Sequence, residues 1–194
     1  DWTSQIVELG AKAPGEKPGW AAGSEVFTLN PALVSAAFDA TREVELADSD
    51  EAAAYRANYT QDTARGAPQV MVCASVSADT YWHGETIAQE VADHAALLTD
   101  GAADYCMSQM EDNATLTALT RASEAGRLDM DRVAILRTAS NFDRAHEGQD
   151  TAASLSATSG GFGPATDNAF RVGNAFASMI IEDWDRFAKG VTAD

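Results

Sequence analysis

Three short apolar runs alternate with helix-patterned segments along this chain, and this alternation constrains its fold more than any other sequence feature. The runs are rich in β-branched and apolar residues and are bounded by turn residues, which is typical of buried strands. They span residues 68–77, 105–110 and 132–140. Between and after them, apolar residues recur at helical spacing in 84–98, 113–125 and 165–188. The alternation predicts an α/β fold with a mixed, mostly parallel central sheet.

The other segments carry local signals. Glycine and proline punctuate residues 1–24, which predicts no long regular element there. Asn30-Pro31 predicts a helix start, and Ser49 predicts a second, shorter helix. Residues 145–164, rich in Gly, Ser and Thr, are predicted as a long loop. In the last helix we expect the following side chains to face inward: Phe170, Val172, Ala175, Phe176, Met179, Ile180, Trp184 and Phe187.

Three strands make a thin sheet for such a fold. A doubly wound domain has about five or more strands, and no repeat or linker divides this chain in two. We therefore expect residues 1–194 to be part of a single domain, with more of its sheet lying outside this chain.

The chain is strongly acidic, which narrows its partners. It has 13 Lys+Arg against 30 Asp+Glu, a formal net charge of −17. This charge repels phosphate backbones and anionic headgroups, so nucleic acid and acidic membranes are not expected partners. The longest apolar run, Val70 to Ala74, falls well below the ~18 to 20 residues of a membrane helix. The sequence predicts a soluble, acidic protein or part of one.

Cysteine and histidine do not predict a redox or metal centre. Cys73 and Cys106 make no disulfide framework, and whether they pair stays open. The three histidines lack metal-ligand spacing and are expected to be surface or structural residues. We predict no metal and no cofactor. The first residue is Asp1 and no signal peptide is visible, so the compartment stays open, and the composition is compatible with export.

Polar and aromatic residues follow each predicted strand, and ligands of open α/β sheets bind at the carboxyl ends of strands. In 77–84, Tyr81 and Trp82 can stack on a flat heterocycle. The alternative is that both rings belong to the core.

The second segment is Gln109-Met110-Glu111-Asp112. A carboxylate here can accept two hydrogen bonds from a vicinal diol such as a ribose, while methionine covers the apolar face of the sugar. The alternative is that Glu111 and Asp112 only interact favourably with the dipole of the helix that follows.

The third segment is 138–143, which contains Asn141 and Asp143. Either side chain can hydrogen-bond a purine N7 and stabilise negative charge as a glycosidic bond breaks. As an alternative, both are ordinary turn and cap residues.

Together the three segments resemble motifs of nucleoside-binding families. SADTYW (77–82) is similar to a strand-end motif of hexameric purine nucleoside phosphorylases, and QMED (109–112) to the Val-Glu-Met-Glu signature of phosphorylases and nucleosidases. LRTASNFD (136–143) resembles the segment that carries their base-contacting Asp or Asn. More closely, nearly the whole chain resembles the C-terminal part of the purine nucleoside permease family. The similar stretches include EVFTLNPAL (25–33), DTYWHGE (79–85), TDGAADYCMSQMEDNATLTALTR (99–121) and the tail from NAFRVGNAF to EDWDRF (168–187).

This resemblance implies a three-layer, nucleoside-phosphorylase-like fold, with the sheet completed by an N-terminal segment or partner polypeptide of the same precursor. It implies that Tyr81 lines a purine base pocket and that Met110 and Glu111 hold the ribose, with Gln109 in the same substrate-binding set. Homo-oligomerisation stays open.

The resemblance also implies that Asn141 faces the purine edge. Asn141 stands where many phosphorylases have the Asp that acts as general acid, which makes it the candidate catalytic residue. Asp143 is a substitute ranked below it.

No glycine-rich loop follows a first strand, and the glycine-rich residues 159–163 follow a long loop instead, so no phosphate cradle is predicted. The favoured function is purine nucleoside binding associated with uptake. The alternatives are a phosphorylase or nucleosidase that cleaves the N-glycosidic bond, and a catalytically silent interaction protein.

Overall fold

Helices and two short strands make up the computed structural model, which describes residues 5–191. In chain order the elements are α1 (Pro31–Thr41), α2 (Asp50–Arg56), α3 (Asp62–Arg65), β1 (Ala74–Ser77), α4 (Glu85–Leu98), β2 (Tyr105–Gln109), α5 (Asp112–Glu124), a 3-10 turn (Met130–Arg132), α6 (Thr151–Leu155), α7 (Phe162–Glu182) and α8 (Trp184–Phe187). This mixture of helices and a small parallel sheet is compatible with the predicted α/β class.

The chain divides into two compact units. The first is formed by the described parts of Asp1–Thr28 and Cys73–Leu128, and the second by Leu29–Val72 and the described part of Asp129–Asp194.

The first unit is built around the parallel pair of β1 and β2. Ser77 pairs with Gln109 at the carboxyl ends of the strands, and the register shifts once, between Ala74 and Ser75. Cys73 and Cys106, which the sequence left open, form a disulfide across this pair, with their Cα atoms 6.0 Å apart. Helix α4 connects the strands and packs on β2. The disulfide therefore holds together the two strands at whose ends the predicted site residues of the first unit lie.

The second unit is built around α1 and α7, which pack on each other. Leu33 and Val172 are both only 4% exposed. Asn30 caps α1 as predicted, because its Oδ1 accepts from the Ala32 and Leu33 amides, and its Nδ2 donates to the Asp131 and Val191 carbonyls. The cap thus fixes α1 to the last part of the described chain.

Local signals predicted several elements correctly. Helix α2 begins after Ser49, whose Oγ accepts from the Ala52 amide at 3.1 Å. Helices α4 and α5 and strand β2 lie within a residue of their predicted bounds, and Gly126 ends α5 with a φ of 69°.

The strand predictions were wrong in two places. Residues 133–140 form no strand within the described chain, since no described segment pairs with their backbone. The first strand covers only Ala74–Ser77 of the predicted 68–77, and Met71 and Val72 before it are exposed rather than buried. Apolar, β-branched composition favours extended backbone, but only a neighbouring strand makes a ladder.

The predicted loop 145–164 and the last helix also differ from the structure. Asp150 caps the short helix α6 by accepting from two backbone amides. Helix α7 begins at Phe162, ahead of Pro164. Proline is tolerated in the first turn because the amides of that turn have no hydrogen-bond partner within the helix. Phe170 is 71% exposed and Trp184 is 58% exposed, so neither faces inward. Phe170 lies two residues from buried Val172, which puts it on the opposite side of the helix.

None of the helices within residues 5–191 combines the length and the apolar character that a bilayer crossing requires.

Candidate functional site

In the first unit, the carboxyl ends of β1 and β2 lie side by side. Ser77 and Gln109 are the last residues of the two strands and face each other in the register. Met110 and Glu111 follow β2 directly, and Tyr81 follows β1 by four residues. The parallel pairing therefore places Gln109 at this edge of the sheet and Tyr81, Met110 and Glu111 beyond it.

Tyr81 and Met110 are open to solvent at this edge. Tyr81 is 54% exposed and Met110 is 43% exposed, whereas Trp82 is half-buried. Within the described chain, Tyr81 is therefore not a core residue. Its ring is exposed and can offer a face to a planar ligand.

Gln109 holds the start of α5 together. Its Oε1 accepts hydrogen bonds from the Ser77 Oγ at 3.0 Å and from the Glu111 and Asp112 amides, both at 2.8 Å. Ser77 Oγ in turn accepts from the Asn113 amide at 3.0 Å. Ser77 and Gln109 thus position Glu111 from both strands. This role of Gln109 was not predicted from the sequence, although a polar residue just before a helix start is its signal.

Glu111 precedes α5 and is exposed there. Its Oε2 accepts from the Met110 amide at 3.3 Å, and its side chain makes no capping hydrogen bond to α5. The carboxylate therefore stands at the positive end of the helix dipole, at the edge of the sheet. This position suits either a helix-start charge or an acceptor for ligand hydroxyls.

In the second unit, Asn141 and Asp143 flank Phe142 in one loop. The Asp143 carboxylate accepts from Arg144 Nε at 2.9 Å and from Arg144 Nη2 at 3.2 Å. Asn141 is exposed. The loop therefore presents an amide to solvent, while its carboxylate is engaged by the neighbouring arginine.

Phe142 anchors this loop in an aromatic cluster formed by Tyr55, Tyr59, Phe142 and His146. The Phe142 and Tyr59 rings stack with centroids 4.1 Å apart. The Tyr59 hydroxyl donates to the Arg144 carbonyl at 2.7 Å, and Tyr59 is buried. Burial raises the pKa of the Tyr59 phenol well above its usual value. This cluster was not predicted from the sequence, because its members are separated by up to 91 residues, from Tyr55 to His146.

Because the pKa of Tyr59 is raised by folding, stability should fall at high pH. Unfolded tyrosine ionises above about pH 10, whereas folded Tyr59 keeps its proton. Each further pH unit should therefore lower the free energy of unfolding by up to about 1.4 kcal/mol. Urea unfolding of the wild type and of Tyr59→Phe, at pH 8 and at pH 11, measures this. We expect the phenylalanine variant to be less stable at pH 8, by about 1 kcal/mol for the lost hydrogen bond, and to lose less stability on going to pH 11. An equal pH dependence of the two proteins would contradict this assignment.

A cleft of about 410 Å³ adjoins Asn141 in the second unit. We call it the Asn141 cleft, and it is lined by Glu51, Ser140, Asn141, Ala157, Thr158, Ser159, Gly160, Phe162 and Gly163. Its volume lies within the range of about 300 to 1,000 Å³ that small-molecule sites occupy. Asn141 is the predicted site residue that lines it.

The described residues contain no group of three or more His, Cys, Asp or Glu side chains that could hold a metal ion. Tyr81, Gln109, Met110 and Glu111 belong to the first unit, and Asn141 and Asp143 to the second. Within each unit the predicted residues lie close in the fold, at one sheet edge and in one loop respectively.

The family model and the similar proteins found for this chain indicate the same family. The model of the purine nucleoside permease family matches residues 1–192. A purine nucleoside permease of Candida albicans is 32% identical over 191 residues, which is 97% of this chain and 47% of that protein. A probable purine nucleoside permease of Schizosaccharomyces pombe is 35% identical over 162 residues, 83% of this chain and 47% of that protein. The chain thus spans about half the length of these relatives. No solved structure matches it.

Proposed function

The chain belongs to the purine nucleoside permease family, and from that premise we propose that it binds purine nucleosides in the course of their uptake. The observation that carries the proposal is the carboxyl edge of β1 and β2. There Tyr81 and Met110 are exposed, and Glu111 follows Met110 just before the start of α5.

Each of these side chains suits one part of a nucleoside. The exposed Tyr81 ring offers a face to the base, and Met110 offers an apolar surface to the sugar. The Glu111 carboxylate accepts hydrogen bonds and donates none, which matches two neighbouring ribose hydroxyls. Gln109 supports this arrangement because its side-chain amide oxygen accepts hydrogen bonds from the Glu111 and Asp112 amides.

In the second unit, Asn141 is proposed to contact the purine edge, and we propose that this loop serves binding and supplies no general acid. An amide can donate to or accept from a purine but is no proton donor for a leaving base. Asp143, the carboxylate of the same loop, is engaged by Arg144. Incubation of the full-length protein with inosine, with and without phosphate, tests this: we expect no hypoxanthine to be released, and its release would favour the enzymatic alternative.

We further propose that residues 1–194 are the C-terminal part of a single nucleoside-phosphorylase-like domain, whose sheet is completed by an N-terminal segment or partner polypeptide. The supporting observation is the two-stranded parallel sheet, because so small a sheet is marginal alone. Cys106 and Ser108 of β2 are exposed, and no large side chain among the described residues is fully buried.

If Tyr81 stacks on the base, Tyr81→Ala should weaken inosine binding by about 1 to 3 kcal/mol, because that is the usual contribution of a base–aromatic contact. Tyr81→Phe keeps the ring and should bind nearly as the wild type does. Titration calorimetry of the three proteins measures the effect, and melting temperatures serve as the control for folding. Equal affinity in the alanine variant would remove Tyr81 from the site.

A further inference from the structure

Two Asn-X-Thr tripeptides occur in this chain, at residues 58–60 and 113–115. An asparagine two residues before serine or threonine, with no proline between them, is the acceptor sequence for N-linked glycans in secreted proteins. Because a glycan is bulky and hydrophilic, its acceptor has to lie in a loop at the surface of the folded chain. The structure distinguishes the two asparagines by this requirement.

Asn58 lies in the turn between α2 and α3, and both Asn58 and Thr60 are exposed. Tyr59, which stands between them, is 5% exposed, and its hydroxyl donates to the Arg144 carbonyl at 2.7 Å. The buried ring therefore anchors the turn from inside, while the two residues that define the acceptor sequence stay at the surface.

The side-chain hydrogen bonds of Asn58 are local and replaceable. Its Nδ2 donates to the Ala54 carbonyl at 3.2 Å and to the Tyr55 carbonyl at 3.0 Å, and both bonds are exposed. Carbonyls at the end of a helix can bind water instead. An amide nitrogen that is linked to a sugar also keeps one of its two hydrogens. A glycan on Asn58 therefore displaces no buried contact.

Asn113 is held differently, as the second residue of α5. Its Nδ2 donates to the Ser24 carbonyl at 3.0 Å, 89 positions away in the chain, and its backbone amide donates to Ser77 Oγ at 3.0 Å. The side chain thus makes a tertiary contact from within a regular helix, beside the last residue of β1. These contacts make Asn113 a poor acceptor.

The disulfide bears on the second requirement, which is the compartment. Cys73 and Cys106 are bonded across the β1 and β2 pair. Disulfides form and persist in secreted proteins and in the lumen of the secretory pathway, and they are rare in the cytosol. N-linked glycans mark the same class of proteins. The bridge therefore supports, independently of the tripeptide, folding of this chain where acceptor asparagines are modified.

We propose that Asn58 is an N-glycosylation site and that Asn113 is not. The donor is a glycan linked to a lipid through pyrophosphate. A bond forms between Asn58 Nδ2 and the anomeric carbon of the first sugar, and the bond from that carbon to the pyrophosphate oxygen breaks. The lipid pyrophosphate leaves with the electron pair of that bond, and one Nδ2 proton passes to a base of the glycosyltransferase. The proposal does not depend on nucleoside binding.

The test is a peptide map of the full-length protein, purified from the cells that naturally make it. Peptide N-glycosidase removes an N-linked glycan and turns the asparagine that carried it into aspartate, which mass spectrometry locates. We expect this conversion at Asn58 and none at Asn113.

Variants expressed in the same cells separate the acceptor sequence from its surroundings. Asn58→Gln removes the acceptor, and Thr60→Ala removes the hydroxyl of the motif but keeps Asn58, so neither variant should carry a glycan at residue 58. Thr60→Ser keeps the motif and should keep the glycan. Asn113→Gln is the matched control and should leave the glycan on Asn58 unchanged.

Three results would overturn the proposal. The first is a wild-type protein in which Asn58 carries no glycan. The second is a glycan on Asn113, alone or together with one on Asn58, because the fold would then not select between the two sites. The third is an equal conversion of Asn58 without the glycosidase, which would show spontaneous deamidation.

Discussion

Replacement of Glu111 by glutamine should abolish the preference of the full-length protein for inosine over 2′-deoxyinosine. The carboxylate at the start of α5 can accept hydrogen bonds from both ribose hydroxyls, whereas the glutamine amide offers one oxygen and a competing donor. Loss of one charge-assisted hydrogen bond costs about 1.5 to 3 kcal/mol. The inosine affinity should therefore fall on the order of 10- to 100-fold, while the 2′-deoxyinosine affinity should change less.

The competing interpretation of Glu111 predicts a different result. A carboxylate that only favours the helix dipole contributes a few tenths to about 1 kcal/mol of stability and has no effect on sugar preference. Glu85→Gln is the matched control, because Glu85 is an exposed carboxylate in the first turn of α4. If Glu111→Gln keeps the wild-type ratio of the two affinities, Glu111 is a helix-start residue like Glu85.

Removal of the Cys73–Cys106 disulfide should have the largest effect on stability. The bond closes a loop with a sequence separation of 33 residues that contains α4 and joins β1 to β2. A loop of that length corresponds to about 3 to 4 kcal/mol in the chain-entropy model. We expect Cys73→Ser/Cys106→Ser to lower the free energy of unfolding by about 2 to 5 kcal/mol, as measured by urea denaturation.

Reductant gives an internal control for this prediction. Dithiothreitol should lower the stability of the wild type toward that of the double-serine variant and should leave the variant itself unchanged. A wild type with the stability of the double variant under oxidising conditions would show that the two sulfurs do not bridge the strands in solution.

The elements that the sequence predicted well are those with local causes. Asn30 and Ser49 cap α1 and α2 through their own side chains, and Gly126 ends α5 through its positive φ. The failed strand at 132–140 depends on a distant partner, which no local pattern contains. The unforeseen helix α6 is five residues long, too short for a periodic signal, and depends on the Asp150 cap.

In the candidate site, too, the features with local causes were predicted and those that depend on distant contacts were not. The order of motifs along the chain was enough to predict polar and aromatic residues after β1 and β2, and the register places them at one edge. Two contacts were not predicted: the hydrogen bond between Ser77 and Gln109, which are 32 positions apart, and the stack of Tyr59 on Phe142, which are 83 positions apart. Such contacts arise only from tertiary packing.

The central claim is that this chain contributes to purine nucleoside binding, and direct titration of the full-length protein with adenosine, inosine and uridine tests it most directly. We expect saturable binding of adenosine and inosine, with weaker binding of uridine because a pyrimidine offers less ring surface to an aromatic side chain. If none of the three nucleosides binds to the folded protein, the claim is contradicted and the fold serves another purpose.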